Sequence, residues 1–556
     1  MKTLLPVAIS SVLFGLAFPN IGWAPLALVT WVPLLIKAPS WSWKKRFFAG
    51  WFTSFIAHVF LFRWIDFTLE HMTNLPGWTH PIGQSLFSAW HALLAGCFLA
   101  LSEPVKQAFE DKRVGTGAIG VAALYAALEW LFPFLFPWMF GQAFWEVSVL
   151  TSMMALTGVS GLTFWVICVN AAISEFWLNR NKAAIYWAAG VLAPLLLFGI
   201  FWSHQINSTE GTKSLEVAVL QPNYSVDEKR LVAAGGPRSL QMRKVLLNRL
   251  TKQLRALEKG KFDLIVGSEG AYPFLWELNK EALQAPKTID AIATNRVIKA
   301  IKSGPATHTI LGGLRNPKDA QKRFRNSAVH FSPTGEILGH YDKRILVPFG
   351  EYMPGRDLFP SLAKGIKGVS NFGSGDKECR FEFEGTAASC GICYEALFDD
   401  LTRDGIQDAS MLLNFTIDTW FGTTVAPPFH LMAQSSRAAE LGVPFIRAAL
   451  TGISTVVGPD GVVQVASGVN VQETLSATVH LPQITTPYRT IGPLFRWIFV
   501  VLTLWGLSMA WRKRRDSHSR QTELEIDSNT NVASSDNKKD ATKEASKTPN
   551  STKSDP

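Results

Sequence analysis

Cysteine is scarce in this chain. Five of its 556 residues are Cys, at positions 97, 168, 379, 390 and 393. Five unevenly spaced thiols are too few for the disulfide framework of a small secreted domain. The sequence also has no ligand spacing typical of a zinc site and no glycine-rich phosphate-binding loop. We therefore expect no bound metal, nucleotide or other cofactor.

Apolar residues are abundant instead: 47 % of the chain is hydrophobic, with 20 Trp and 37 Phe. The sequence predicts a polytopic α-helical membrane domain over residues 1–205 and a final transmembrane helix over 491–511. Glu129 falls within a span, where it marks a functional polar site or pairs with a neighbouring helix. Eight stretches are candidate spans by their length and composition, at about 3–19, 21–38, 46–65, 83–102, 115–137, 145–177, 183–203 and 491–511.

The net charge of +10 would favour nucleic-acid binding in a soluble protein. Here the basic residues cluster in short connectors, at 37–46, 106–113 and 180–182, and just after the last span at 512–515. With eight spans all four clusters fall on one side of the membrane, and the positive-inside rule makes that side cytoplasmic. We therefore expect both termini in the cytoplasm, residues 214–485 outside, and no nucleic-acid partner.

Residues 214–485, called the outer domain below, alternate short apolar strand-like runs with helical patterns, such as the leucines spaced through 239–257. Continuous apolar strands between helices predict a layered α/β domain with covered sheets. The tail at 516–556 has no aromatic residue and is rich in Ser, Thr, Asn, Asp and Lys. Such a composition predicts a disordered cytoplasmic segment.

Residues 386–395 (TAASCGICYE) read as a buried strand that ends abruptly and presents Cys393 at its exit turn. A thiol there becomes a strong nucleophile once a base removes its proton. A single Cys is more often inert packing, and Cys390 with Cys393 also matches a redox C-x-x-C motif. Positions three apart in a strand lie about 10 Å apart on opposite faces, which argues against a disulfide between them. Locally these alternatives stay open.

Three other apolar runs of the outer domain end in charged residues. Residues 262–269 end in Glu269, residues 339–344 contain Lys343, and residues 348–354 (PFGEYMP) hold Glu351 in a loop framed by Pro and Gly. Each alone is typical of a solvated surface charge. Together with Cys393, in this order, they resemble the Glu-Lys-Cys arrangement of the nitrilase (carbon–nitrogen hydrolase) superfamily.

The predicted order of eight spans, with the soluble domain before the last span, resembles one family within that superfamily, the apolipoprotein N-acyltransferases. This resemblance covers nearly all of residues 1–511. The resemblance implies a nitrilase-like αββα sandwich for the outer domain. The PFGEYMP and ICYE segments are the most specific matches. The others are residues 16–19 (LAFP), 23–27 (WAPLA), 136–142 (FPWMFGQ), 158–162 (GVSGL), 220–223 (LQPN), 326–328 (NSA) and 418–422 (DTWFG).

This chain departs from the pattern of this family in two places. The family usually has Trp-Pro before the catalytic Glu, where this chain has Gly267 and Ser268. It also commonly has Asn within residues 447–452, where this chain has Leu450. The departures put the packing around Glu269 and the fit of the substrate in question, and a weakened or altered acyltransferase is one outcome.

The resemblance implies a two-step acyl transfer. Glu269 would be the general base, Cys393 the nucleophile that carries a thioester, and Lys343 an oxyanion stabiliser. The acyl chain would pass from a phospholipid to the α-amine of the N-terminal diacylglyceryl-cysteine of a lipoprotein, in a bacterial inner membrane with the catalytic domain in the periplasm. We expect a monomer embedded in the lipid bilayer. Supporting roles would fall to Glu351, Tyr394 and Glu395.

A thioester must be shielded from water if the acyl chain is to reach an amine. The apolar residues Phe359, Trp420 and Phe421 are candidates for gating acyl entry or dipping into lipid, and core packing is an equal alternative. Two other functions remain: a membrane-tethered amidase or nitrilase acting on a small amide, and a catalytically decayed lipoprotein-binding homologue.

Overall fold

The computed structural model describes residues 3–19, 21–73, 75–180, 182–208, 212–317, 323–355, 370–482 and 484–544. The first two hundred residues are helical. The α-helices are α1 Leu4–Ala17, α2 Val32–Lys37, α3 Trp43–Leu61, α4 Trp64–Met72, α5 His80–Glu110, α6 Gly117–Leu131, α7 Ser148–Thr151, α8 Met154–Asn179 and α9 Ala183–Ile206. Short 3-10 helices lie between them at Ala24–Leu28, Ala38–Ser40, Gly77–Thr79 and Phe140–Phe144.

Fewer helices of the described chain are long enough to cross a membrane than the sequence predicts. Within the described residues, four helical stretches are long and apolar enough to cross a membrane, and a fifth qualifies if a pair bent by 54° counts as one span. Three further apolar helices are shorter, so the predicted count of eight is not confirmed. The four are Gly77–Glu110, Met154–Asn179, Ala183–Ile206 and Pro487–Ser517; the pair is Trp43–Leu61 with Trp64–His71; the short ones are Leu4–Ala17, Ala24–Ser40 and Gly117–Leu131.

Helix α8 is interrupted near its start. Gly158 has φ 66° and ψ −178°, a conformation that breaks the helical hydrogen-bond ladder. The freed N–H of Val159 donates to Oε1 of Glu440 at 2.9 Å, so a carboxylate of the outer domain caps the continuing helix. Any side chain at 158 would also collide with the ring of Tyr488.

The outer domain contains two sheets. The strands are β1 Lys213–Gln221, β2 Leu264–Gly267, β3 Tyr272–Trp276, β4 His308–Arg315, β5 Arg325–Phe331, β6 Ile337–Asp342, β7 Phe381–Phe383, β8 Thr386–Ile392, β9 Met411–Thr416, β10 Phe445–Ala449, β11 Thr455–Val457, β12 Val463–Ala466 and β13 Glu473–Leu481. One sheet has the strand order β13-β1-β2-β4-β5-β6, with β3 beside β4, and the other has the order β12-β11-β10-β9-β8-β7.

Helices cover both outer faces of the paired sheets. The apolar residues between the sheets come from both of them, for example Val219 and Val266 from one and Leu413 and Ile446 from the other. This confirms the predicted layered α/β domain with covered sheets. The helices are α10 Val226–Ala233, α11 Gly236–Arg255, α12 Lys280–Gln284, α13 Ile289–Ser303, α14 Asp399–Ile406 and α15 Ala426–Leu441, with 3-10 helices at Cys393–Leu397 and Thr419–Phe421.

Local sequence explains several of these elements. Among the leucines spaced through 239–257, Leu247, Leu250 and Leu254 lie on α11 and are buried against the first sheet, as their spacing predicts. Helix α10 begins with a capping box, since the Ser225 hydroxyl accepts from the N–H of Glu228 and the Glu228 carboxylate accepts from the N–H of Ser225.

Two features differ from the sequence-based expectations. Cys379 and Cys390 form a disulfide, which the sparse cysteine pattern did not predict. The chain reaches this pairing because β7 and β8 run antiparallel and bring the two residues together. The last helix, α16 Pro487–Glu544, continues well past residue 516, where composition predicts disorder. Residues 545–556 of that predicted segment lie outside the described residues.

Candidate active site

Cys393 lies at the turn that follows β8, as the sequence predicts. Its φ is 55°, in the left-handed region that L-residues rarely adopt. Its carbonyl accepts hydrogen bonds from Nε2 of Gln434 at 2.9 Å and from Nδ2 of Asn414 at 3.3 Å. The side chain is 9 % exposed. Two neighbouring amides therefore hold a strained backbone that directs the thiol out of the strand.

Glu269 follows β2 and is buried beside this thiol. Nδ2 of Asn326 donates to Oε1 of Glu269 at 2.5 Å, while Oε2 has no well-formed partner. Burial raises the pKa of Glu269 to about 7; Lys343 and the weak hydrogen bond of the Cys393 thiol act in the opposite direction. A carboxylate with such a pKa is suited to take up and return a proton near neutral pH.

Lys343 follows β6 and is only 1 % exposed. Its Nζ donates to Oε1 of Glu351 at 2.9 Å and lies 2.8 Å from Oε2. Glu351 also accepts from Nδ2 of Asn326 at 3.3 Å and from the N–H of Val347 at 2.8 Å. Asn326 thus connects Glu269 with the Lys343–Glu351 pair in one buried hydrogen-bond network.

The charges of this cluster act on one another. Burial alone lowers the pKa of Lys343, but Glu351, Glu269 and Cys393 outweigh it and hold that pKa above its usual value. Burial and the charge of Glu269 raise the pKa of the Cys393 thiol to about 12, although Lys343 lowers it. At rest the thiol is protonated beside a carboxylate that can accept its proton.

Glu395 joins the two loops that carry Lys343 and Cys393. It is fully buried, and its carboxylate accepts from the N–H groups of Arg344 at 2.6 Å, Ile345 at 2.9 Å and Ile392 at 2.7 Å. The hydroxyl of Tyr341 donates to it as well, at 3.0 Å. Its contacts are therefore with backbone and Tyr341, and they fix the separation of the two loops.

Tyr394 connects the site with the helical domain. Its hydroxyl donates to the carbonyl of Leu135 at 3.0 Å, in the segment that follows α6. On the same side, Phe429 of α15 packs on Phe62 and Trp138 with ring centroids 5.3 and 5.5 Å apart. Phe429 is fully buried, so it belongs to the core between the domains. The reactive cluster therefore lies at the junction with the apolar helices.

The proposed gating residues fall in different places. Trp420 and Phe421 lie in the 3-10 turn Thr419–Phe421, partly exposed. The Trp420 carbonyl accepts from the Thr68 hydroxyl at 3.2 Å, and Phe421 packs edge-on against Trp64 at 4.9 Å. This turn therefore rests on α4. Phe359 lies outside the described residues.

Family models match both domains. The model described as carbon-nitrogen hydrolase matches residues 216–488, and the model described as apolipoprotein N-acyltransferase N-terminal domain matches residues 10–172. The chain belongs to the apolipoprotein N-acyltransferase family. A curated apolipoprotein N-acyltransferase from Geobacter metallireducens is 28 % identical over 92 % of this chain and 96 % of its own length. One from Bdellovibrio bacteriovorus is 29 % identical over 82 % and 83 %.

Solved structures give a more distant likeness. An amidase from Nesterenkonia sp. AN1 superposes with a TM-score of 0.33 at 18 % identity, over 51 % of this chain and 99 % of that one. Saccharomyces cerevisiae Nit3, of the nitrilase superfamily, also has a TM-score of 0.33 at 18 % identity, over 52 % of this chain and 97 % of its own.

The residues at which this chain departs from the N-acyltransferase pattern are all closely packed. A Cβ at Gly267 would lie 2.5 Å from Cδ2 of Leu311, so a larger residue needs that side chain to move. Ser268 is fully buried and its hydroxyl has no hydrogen-bond partner among the described residues. Leu450 is fully buried in an apolar cluster with Tyr224 and Leu246. Leu450 therefore serves packing directly after β10.

Sequence reasoning missed a buried charge network behind Cys393. Asp418 accepts from Nη2 of Arg447 at 2.8 Å and pairs with Nδ1 of His430 at 3.0 Å. Arg447 donates through Nε to Gln434 at 2.9 Å, and Gln434 donates in turn to the Cys393 carbonyl. The DTWFG match contains Asp418, but its partners are distant in sequence and only the fold brings them together.

Lys229 was also missed. Its Nζ lies 3.0 Å from where a Cβ on Gly270 would be, next to Glu269. Burial lowers the pKa of Lys229 to about 8, and the Glu269 carboxylate opposes that shift. The preceding sequence, residues 223–228, reads as an ordinary helix start, and no local signal marks this lysine as a neighbour of the base.

Proposed function

We propose that this protein moves an acyl chain from a phospholipid, through a thioester on Cys393, to the α-amine of the N-terminal diacylglyceryl-cysteine of a lipoprotein. The observation that carries the proposal is the buried cluster of Glu269, Lys343 and Cys393 at the junction with the apolar helices. A base, a cation and a nucleophile grouped at this junction support attack on a membrane-bound ester.

In the first step, Glu269 takes the proton of the Cys393 thiol and the thiolate attacks the ester carbonyl of the phospholipid. Lys343 and a backbone N–H near Tyr394 stabilise the oxyanion that develops. As the C–O bond breaks, protonated Glu269 returns its proton to the leaving oxygen. Lysophospholipid departs, and Cys393 holds the acyl chain as a thioester.

In the second step, the α-amine of the acceptor attacks the thioester carbonyl and Glu269 accepts the amine proton. The C–S bond breaks, the amide forms and Cys393 regains a proton. Glu351 fixes Lys343 through both carboxylate oxygens, and Glu395 and Tyr394 hold the turn. The two half-reactions share one site, so the kinetics are ping-pong.

Water must be kept from the thioester. The cluster is almost fully buried, and Trp420 and Phe421 lie in a turn that contacts α4. We assign these two residues, together with Phe359, a gating role in acyl entry. Their contacts with α4 support that role, because α4 belongs to the apolar helical domain.

We further propose eight membrane crossings in the bacterial inner membrane, with both termini cytoplasmic, the catalytic domain periplasmic and the chain monomeric. Each predicted span overlaps one of the apolar helical stretches. The ion pair of Lys513 with Asp111 at 2.7 Å supports a common side for two of the basic clusters. The Cys379–Cys390 disulfide supports an oxidising compartment for the outer domain.

The decisive test is the intact mass of the purified full-length protein after incubation with phospholipid. We expect a mass increase of one acyl chain, lost in Cys393→Ala and strongly reduced in Glu269→Gln. The increase should disappear, with the acyl chain recovered on the peptide, when a diacylglyceryl-cysteine peptide is added. Cys97→Ala is the matched control, because this thiol lies on α5 outside the cluster.

Two results would replace the proposal. Hydrolysis of short amides with no acyl adduct would establish the tethered amidase. Normal lipoprotein processing in cells that carry only Glu269→Gln or Cys393→Ser protein would establish a decayed, lipoprotein-binding homologue. The intact cluster of Glu269, Lys343 and Cys393 supports transfer over decay.

A further inference from the structure

Two buried side-chain amides from different elements hold the carbonyl of Cys393. Nε2 of Gln434, on α15, donates to this oxygen at 2.9 Å, and Nδ2 of Asn414, on β9, donates to it at 3.3 Å. Nδ2 of Asn414 also donates to the carbonyl of Gly391 at 3.1 Å. Both amides are fully buried. The left-handed backbone of Cys393, with φ 55°, persists only where its surroundings fix it, and these two amides supply that support.

The neighbours of Gln434 determine which way its amide faces. Arginine has only donors, and Nε of Arg447 donates to Oε1 of Gln434 at 2.9 Å. A backbone carbonyl only accepts, so the nitrogen of this amide must face Cys393. The second hydrogen of the same nitrogen is directed to Nε2 of His430 at 2.7 Å. Both hydrogens and the oxygen of the Gln434 amide are therefore engaged, which leaves this side chain one orientation.

His430 completes the arrangement as a neutral ring. Its Nε2 accepts from Gln434, so its Nδ1 carries the hydrogen and donates to Asp418 at 3.0 Å. Burial lowers the pKa of His430, although the hydrogen bond and charge of Asp418 oppose the shift. A neutral ring keeps Nε2 an acceptor at neutral pH. The three side chains therefore form a buried chain of hydrogen bonds that ends on the carbonyl of Cys393.

The direction of this carbonyl also sets the direction of the next N–H. In a planar trans peptide the C=O and the N–H point to opposite sides, and the described chain has no cis peptide. The carbonyl points to Gln434 and Asn414, so the N–H of Tyr394 points away from both side chains. Tyr394 is the second residue of the 3-10 helix Cys393–Leu397, where an N–H has no acceptor within its own helix. The helix leaves this donor unused.

We propose that Gln434 and Asn414 are positioning residues for acyl transfer. By holding the carbonyl of Cys393, they aim the N–H of Tyr394 at the oxyanion that forms on the acyl group. The inference rests on the proposed function, in which the sulfur of Cys393 attacks an ester carbonyl. As the S–C bond forms, the π electrons of that carbonyl move to its oxygen, and the N–H stabilises the anion. The electrons return when the leaving oxygen departs with the proton from Glu269.

The test uses the full-length protein and separates oxyanion stabilisation from placement of the thiol. Attack on a p-nitrophenyl ester forms an oxyanion, and the burst of p-nitrophenol measures acylation of Cys393. Alkylation by iodoacetamide forms an S–C bond and breaks a C–I bond without an oxyanion, and mass spectrometry of the Cys393 peptide measures it. In Gln434→Met we expect acylation to slow by about 10–100-fold with an unchanged KM, while alkylation keeps its rate.

A second variant and a control accompany Gln434→Met. Asn414→Leu removes the other amide from the same carbonyl and leaves the contact between Gln434 and Arg447 in place, so it should show the same selective loss of acylation. Gln253→Met is the matched control. Gln253 is also a buried glutamine, and its Nε2 donates to the carbonyl of Glu473, at the start of β13, at 2.7 Å. Both rates should stay at wild-type values in this control.

Three results would overturn the inference. The first is an equal loss of acylation and alkylation in Gln434→Met and Asn414→Leu, which would make these amides supports of the thiol only. The second is wild-type acylation in either folded variant. The third is a comparable, selective loss in Gln253→Met. A wild-type burst from the ester without an acyl adduct from phospholipid would contradict the proposed function alone, because the ester reports on the oxyanion whatever the natural donor is.

Discussion

Tyr394 donates its hydroxyl hydrogen to the carbonyl of Leu135 at 3.0 Å, and so links the residue next to Cys393 to the helical domain. The two residues are 259 positions apart in the chain. The turn of Cys393 is therefore positioned by the helical domain as well as by its own sheet.

Tyr394→Phe removes this bond and little else. A hydrogen bond of this kind contributes about 1 kcal/mol net. If it acts mainly by positioning the turn of Cys393, its loss corresponds to about a fivefold decrease in rate. We expect acyl-enzyme formation, measured by quenched-flow mass spectrometry, to slow by about that factor with unchanged thermal stability within a few degrees. Tyr186→Phe, on an exposed side chain of α9, is the control. An unchanged rate would assign Tyr394 to packing only.

Acyl-enzyme formation should depend on pH through Glu269. Burial raises the pKa of this carboxyl to about 7, and only its ionised form can accept the thiol proton. The single-turnover rate should therefore rise as pH increases through about 7 and fall below it. Lys229→Met removes a neighbouring cation that favours the ionised form, so it should move the midpoint upward. A profile that is flat between about pH 5 and 9 would exclude Glu269 as the base.

The Cys379–Cys390 disulfide should stabilise the strand that leads to Cys393. Closing a loop of this length contributes about 2–3 kcal/mol. We expect Cys379→Ser/Cys390→Ser to lower the free energy of unfolding of the outer domain by that amount while acyl transfer continues. Cys379→Ser alone leaves a free thiol at 390, so it should also show mispaired disulfides on non-reducing gels. Equal stability of the double variant and the wild type would contradict this assignment.

Arg447→Met should be among the most damaging single changes outside the cluster itself. Burial alone would raise the pKa of Asp418, but Arg447 and His430 keep it below its usual value, so the acid is charged in the folded protein. Removing one partner of such a buried pair costs about 3–5 kcal/mol. Chemical denaturation should record that loss, and Asp418→Asn/Arg447→Met should recover part of it. An additive double variant would mean that the two side chains do not interact.

Leu450→Asn restores the residue common in the family, yet we expect it to destabilise this protein. Leu450 is fully buried against Tyr224 and Leu246, and an amide there lacks polar partners. The expected loss is about 2–3 kcal/mol of unfolding free energy without a gain in transfer rate. Leu450→Met, which keeps volume and polarity, is the control. A higher transfer rate in Leu450→Asn would place position 450 in substrate binding.

The parts of the fold that sequence predicts are those with local signals. The strand before Cys393, the helix of leucines at 239–257 and the charged ends at Glu269 and Lys343 all depend on neighbouring residues, and the structure contains them. The lengths of the membrane helices are harder to predict from sequence. Helix α6, for example, packs between other helices and is shorter than the stretch 115–137 that composition predicts. The single disulfide needed the register of β7 and β8, which composition does not contain.

The environment of the site was less predictable. Asp418, His430, Gln434 and Arg447 meet behind Cys393 from a turn, a helix and a strand, so no spacing rule connects them. Lys229 approaches Glu269 only because α10 folds back over the end of β2. Contacts between residues of separate elements follow from the tertiary structure, so the local sequence does not predict them.

The break in α8 at Gly158 has a consequence for how this protein is made. The N–H of Val159 finds its acceptor in Glu440, a residue synthesised 281 positions later, and the ring of Tyr488 arrives later still. The early helices are therefore synthesised with this backbone group unpaired, and its acceptor exists only after the chain has been made as far as residue 440. A ribosome that stops before residue 440 releases a helix bundle with one turn left unfinished.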